Sequence, residues 1–183
     1  MSARPIATTR SAAGMPTGRL AVWWVIASEI VIFGGILASY IMFRLSHESF
    51  AVDAASTKMW IGATNTFVLL TSSLFAVLAH KAAEEGDGRK AANLLLLTTG
   101  GGLIFLIIKA FEWGDKISHG HTLTSSTFFS FYYTAAGLHA LHVLAGMVIM
   151  LIVAAAARRQ QELHRVELIG IYWHFVDVVW IFL

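Results

Sequence analysis

Cysteine is absent from these 183 residues. That excludes disulfides, thiolate metal sites, iron–sulfur clusters and covalently attached c-type haem. Charge is scarce: Asp, Glu, Lys and Arg make up 13% of the chain, against ~25% in an ordinary soluble domain. With 57% hydrophobic residues and a mean hydropathy of +0.68, this deficit keeps most of the chain out of contact with water. The formal charge of +2 is too small and too dispersed for a nucleic-acid surface. Solenoid repeats and low-complexity tracts are missing, and the length suits one domain. Both prolines, Pro5 and Pro16, fall in Met1–Arg19, which also carries Arg4, Arg10 and Arg19 and has no apolar run. This segment reads as a flexible basic lead. The apolar stretch behind it runs 24 residues, longer than the roughly 7–15 of a signal-peptide core.

Long apolar runs are what the chain has in quantity, and about 20 such residues span the hydrocarbon of a bilayer. Leu20–Phe43 is interrupted only by Glu29, and Met59–Ala79 carries no charge. Ala91–Ile108 is uncharged and ends at Lys109-Ala110-Phe111-Glu112-Trp113, an interfacial edge. Thr122–Ala157 is 36 residues without Asp, Glu, Lys or Arg and without a polar turn. It reads as one long, tilted helix whose first turns stand outside the hydrocarbon. Leu168–Leu183 is 16 residues, roughly 24 Å as a helix and short of a bilayer. Either the chain continues beyond Leu183 or neighbouring helices support this one. The expected fold is therefore an all-α integral membrane protein, a single domain of five transmembrane helices over residues 20–183. The lead and the even-numbered loops hold nine Lys and Arg residues, against four on the other side. An excess of Lys and Arg marks the cytoplasmic side, so the N-terminus is expected there and the C-terminus outside.

A few polar residues interrupt the apolar runs. Glu29 lies nine residues into the first span, roughly 14 Å along the axis, near mid-bilayer. It reads either as a proton- or redox-linked carboxyl group or as a neutral side chain making one interhelical hydrogen bond, since ionisable groups inside a membrane face the protein. His139 and His142 are three apart and share a stripe with Tyr132, Ala135 and Gly146. Two imidazoles on one face can ligate a metal, but further ligands at that depth are few. A packing face with rings bonded to neighbouring helices is the favoured reading. His174 and Asp177, within Tyr172-Trp173-His174-Phe175-Val176-Asp177-Val178-Val179-Trp180, are spaced to hydrogen-bond each other. Gly34, Gly35, Ala38 and Ser39 form small-xxx-small pairs suited to close helix approach. Gly100-Gly101-Gly102 permits the same or a bend, and Asn65, Ser72 and Ala76 mark a packed face. Lys109 and Glu112 read as a self-neutralising i,i+3 pair at an interface. His47, His119 and His121 fall in outer loops and read as solvated.

Several segments, in order, resemble subunit III of the haem–copper oxidases. Ala27-Ser28-Glu29-Ile30 with Phe33 is similar to the family's Ser-Glu-x-x-x-Phe helix start. Asn65-Thr66, Val68-Leu69-Leu70 and Ser72-Ser73, ending in Ala79-His80, resemble its next helix. Glu112 falls where the family has a Glu-aromatic pair. Ser126-Thr127-Phe128-Phe129 with Gly137, His139, His142, Val143 and Gly146 resembles its Ser-Thr-Phe-Phe…Gly-x-His-x-Leu-His-Val motif, and Tyr172–Trp180 resembles its closing motif. The chain resembles the short, five-helix form. The resemblance implies an accessory subunit of a cytochrome c or quinol oxidase with no redox centre of its own. It would pack on subunit I, which holds the haems and copper, beside subunit II, with phospholipid in a cleft of the bundle. Its suggested roles are to stabilise subunit I during turnover and to assist proton uptake or oxygen access. The resemblance makes Glu29, His139, His142, His174 and Asp177 buried support positions, not catalysts. It also implies residence in the bacterial cytoplasmic membrane. Family members usually continue the last helix with more apolar and aromatic residues than stand here.

Two other readings compete. One is a subunit-III-like companion of a bacterial nitric oxide reductase. The other is a small proton channel or transporter using Glu29, His139 and His174 as a relay, which would need a more continuous polar path than these residues offer.

Overall fold

The computed structural model describes residues 11–12, 15–46 and 59–183. Arg4, Pro5, Arg10, His47 and Lys58 lie outside the described residues. Five helices carry the fold: α1 (Thr17–Ser46), α2 (Met59–Glu84), α3 (Gly88–Ser118), α4 (Thr127–Arg158) and α5 (His164–Phe182). Ahead of α1, Ser11–Ala12 and Met15–Pro16 make a two-residue antiparallel pairing. Four of the helices, α1 to α4, are long and apolar enough to cross a membrane, and the chain is a multi-pass membrane protein. The fifth is not among them, because Arg165, Glu167 and Asp177 interrupt its 19 residues. The uncharged stretch Thr122–Ala157 holds one helix, as the missing polar turn within it predicts, but that helix starts at Thr127. Residues 122–126, expected as its first turns, form a separate turn ahead of the Ser126 cap.

Local chemistry sets the helix ends. The Ser126 hydroxyl accepts from the Phe129 N–H at 3.4 Å and caps α4, so the first residue of the Ser-Thr-Phe-Phe motif is a helix N-cap. Asp87 caps α3 through the Lys90 N–H at 2.9 Å. Between α2 and α3 the chain turns through Gly86 at φ +81°, a left-handed conformation that glycine adopts without steric cost.

Helices α2, α3, α4 and α5 pack in a closed ring, each against its two neighbours, and α1 lies along α4 and α5. Small residues make this close contact possible. A Cβ built at Gly101 would stand 2.5 Å from Ser72 Cβ, and one at Gly102 would stand 2.8 Å from Trp173. The Trp173 indole fills that space with none of its surface exposed and donates to Ser72 Oγ at 3.1 Å. Helix α1 is more loosely held, with only Ile26 and Phe33 buried. It docks at three levels: Arg19 to Glu167 at 2.6 Å, Glu29 to His142, and Tyr40 and Phe43 against Phe131.

Candidate functional site

Glu29 and His142 meet across the α1–α4 contact. Glu29 Oε2 stands 3.0 Å from His142 Nε2, within ion-pair reach but outside hydrogen-bond angles. The other ring nitrogen, Nδ1, lies 2.8 Å from the Leu138 carbonyl oxygen. A carbonyl only accepts, so Nδ1 carries a proton and Nε2 is left to face the carboxyl group. The Phe33 ring meets the imidazole edge-on at 5.6 Å.

His139, one turn earlier on α4, points elsewhere. It is fully buried, with Phe105 edge-on at 5.5 Å and Trp180 at 5.2 Å. Neither of its nitrogens has a hydrogen-bond partner among the described residues. The two histidines of the stripe thus serve different contacts: His142 reaches α1, and His139 sits inside the ring of four helices. Gly146, on the same stripe, faces Tyr172 and Trp173, where a Cβ would stand 3.1 and 3.2 Å away. Gly34 and Gly35 face no other atom of the chain within 4 Å.

The His174–Asp177 spacing predicts a bond that the structure does not form. His174 Nδ1 bonds instead to the Ser73 hydroxyl on α2, because that antiparallel neighbour brings a hydroxyl directly to the ring. Asp177 is 3% exposed, and neither of its carboxylate oxygens has a hydrogen-bond partner among the described residues. Asn65 is likewise fully buried, with both amide atoms unpartnered.

The Lys109–Glu112 pair is formed, at 2.8 Å, and is buried within the protein. Tyr132 covers it. Its hydroxyl donates to Glu112 Oε1 at 2.5 Å and accepts from Lys109 Nζ at 3.1 Å. Lys109 also lies over the Tyr132 and Trp180 rings, 5.0 and 4.8 Å from their centroids. Spacing alone signals the pair, but the covering rings come from other helices and leave no local mark. The triad forms one wall of a cavity of about 560 Å³ between α1 and the ends of α2 to α5, with Arg44, Thr66 and Phe128 among the other lining residues. Of the loop histidines, His119 is exposed and bonds to the Asp115 carbonyl, while His121 stacks on Phe129 at 4.6 Å. Among the described residues no three His, Asp or Glu side chains stand together as a metal site.

The arrangement is one of singly placed polar groups held between helices, some paired and some without a partner among the described residues. Residues 8–183 match the family described as Cytochrome c oxidase subunit III. The chain is 31% identical over 161 residues to the cytochrome c oxidase subunit 3 of Thermostichus vulcanus, covering 85% of this chain and 79% of that one. It is 32% identical over 163 residues to the protein of the same name from Corynebacterium diphtheriae, covering 85% and 80%. It is also 30% identical over 177 residues to a heme-copper oxidase subunit I+III of Aeropyrum pernix, covering 88% of this chain and 21% of that protein. With matches running through all five helices, the chain belongs to the cytochrome c oxidase subunit III family.

Proposed function

We propose that this chain is the accessory subunit III of a proton-pumping terminal oxidase, a structural support for the subunit that reduces oxygen. The family match over residues 8–183 carries the reading. The chain's polar interior is consistent with it: Glu29 is balanced by His142, and Lys109 by Glu112 and Tyr132. Such groups fix helix positions without a redox centre. Haem and copper belong to the partner subunits on this reading. Subunit I is the direct partner, a reading supported by the relative named for both subunits, and subunit II completes the complex. The relatives' oxidase names favour this over the nitric oxide reductase companion.

In the assembled complex the N-terminus faces the cytoplasm of a bacterial inner membrane, α5 crosses as a fifth span supported by α2 and α4, and phospholipid lies along α1. The open faces of Gly34 and Gly35 and the exposed Trp24 and Val31 support a neighbour or lipid on that helix. Glu29, His139, His142, His174 and Asp177 act as buried support positions that assist proton uptake indirectly. Glu29→Gln and His174→Ala therefore leave the haem absorption bands of the assembled oxidase intact. They shorten its active lifetime or slow proton uptake, measured as activity remaining over successive turnovers and as proton uptake by reconstituted vesicles. Loss of a haem band from either assembled variant would contradict the accessory role.

A further inference from the structure

Three buried side chains leave six polar atoms without a partner: both of the Asn65 amide, both of the His139 ring and both of the Asp177 carboxylate. All three residues are at most 3% exposed. A buried polar atom left unbonded costs about 1–3 kcal/mol, and six together are more than a membrane bundle tolerates without compensation. Trp180 touches His139 and sits close to the segments that carry the other two. Its ring lies 5.2 Å from His139, its Nε1 donates to Thr66 beside Asn65, and Asp177 precedes it by three residues on α5.

Trp180 and Thr66 also line the cavity beside Arg44 and the Lys109 triad. None of the three groups lines that cavity, but each lies within one helical turn of residues that do, Asn65 being next to Thr66. Asp177 lies one turn from the lining residue Ile181, and His139 lies one turn from Ala135 and Ala136. Lys109, on the cavity wall, is close enough to His139 to act on its charge. The chemistry of the six atoms selects the ligand. A carboxylate and an amide oxygen accept, an amide NH2 donates, and a neutral imidazole does one of each. A cation satisfies only the acceptors and an anion only the donors. Water serves both, given two to four polar partners.

We infer that the cavity is the mouth of a water-filled inlet whose inner end hydrates Asn65, His139 and Asp177. The inlet opens at the end of the bundle formed by the C-termini of α1, α3 and α5, and it brings water to the centre of an otherwise apolar ring. Hydroxyl-radical footprinting by brief X-ray radiolysis of the full chain in nanodiscs tests this, because radicals form from water held beside a side chain. Trp180 and His139 are expected to be oxidised, while Trp173, as fully enclosed as His139 but away from the cavity, stays unmodified. Labelling of Trp180 and His139 no greater than that of Trp173 would overturn the inlet, as would result from an acyl chain filling the cavity. Ala136→Phe, which fills the cavity, should abolish His139 labelling and leave that of exposed Trp60 unchanged. Persistence at His139 in that folded variant would overturn the cavity as the route. Asn65→Leu supplies an independent readout: removing a water's partner lowers the thermal midpoint, whereas removing a dry, unbonded amide raises it or leaves it unchanged.

Discussion

Lys109 is a cation with 5% of its surface exposed, and its stability depends on what surrounds it. The Glu112 carboxylate at 2.8 Å, the Tyr132 hydroxyl at 3.1 Å and two aromatic faces replace the water it has lost. Breaking such a set from one side strands a buried charge, which costs about 3–5 kcal/mol, whereas replacing both charges with apolar groups is often neutral. Lys109→Met is therefore expected to lower the thermal midpoint in detergent, and adding Glu112→Met should recover most of the loss. A double variant no more stable than the single one would show that the ion pair is not what Glu112 needs. The pair's spacing was legible in the sequence, but its burial was not, since Tyr132 lies a helix away. Arg19 and Glu167 left no signal at all, because only the packing of α1 on α5 brings them within 2.6 Å. His174 and Asp177 show the converse. Their i,i+3 spacing is real, but Ser73 on a neighbouring helix wins the imidazole.

At the scale of the element, the Gly100-Gly101-Gly102 run makes one helix do two things. Gly101 and Gly102 face Ser72 and Trp173 closely enough that a Cβ would collide, while a Cβ at Gly100 meets nothing within 4 Å. Gly101→Ala is thus expected to destabilise the bundle by about 1–3 kcal/mol through overpacking. Gly100→Ala should stabilise it by about 0.5–1 kcal/mol through helix propensity. Thermal unfolding of the two variants side by side checks both signs, and equal effects would show that α3 does not touch α2 as described. The helices themselves were legible because charge-free runs of this length have one use. The charge-free stretch Thr122–Ala157 forms a single helix from Thr127 onward, while its first residues form a turn ahead of the Ser126 cap, which composition alone did not mark. Helix α5 was the hardest to bound, since its charged first turn, with Arg165 and Glu167, stands outside the apolar run that marks the rest.

For the whole molecule, four helices close a ring and α1 rests on its outside, held at three levels along its length. The ring buries Trp173 and Trp180 together with Asn65, His139 and Asp177. By contrast, α1 leaves Trp23, Trp24, Ile30 and Val31 exposed, and in a bilayer such a surface meets lipid or another subunit. On the proposed reading such a domain supplies position and support to the subunit that holds the haems. The measurement that tests this most directly is affinity purification of the tagged chain from its native membranes, with mass spectrometry and a visible spectrum of the product. Oxidase subunit I should arrive with it, and the haem bands should follow that subunit and disappear from the chain once the two are separated. Recovery of the chain alone, or haem absorption persisting on the separated chain, would contradict the account.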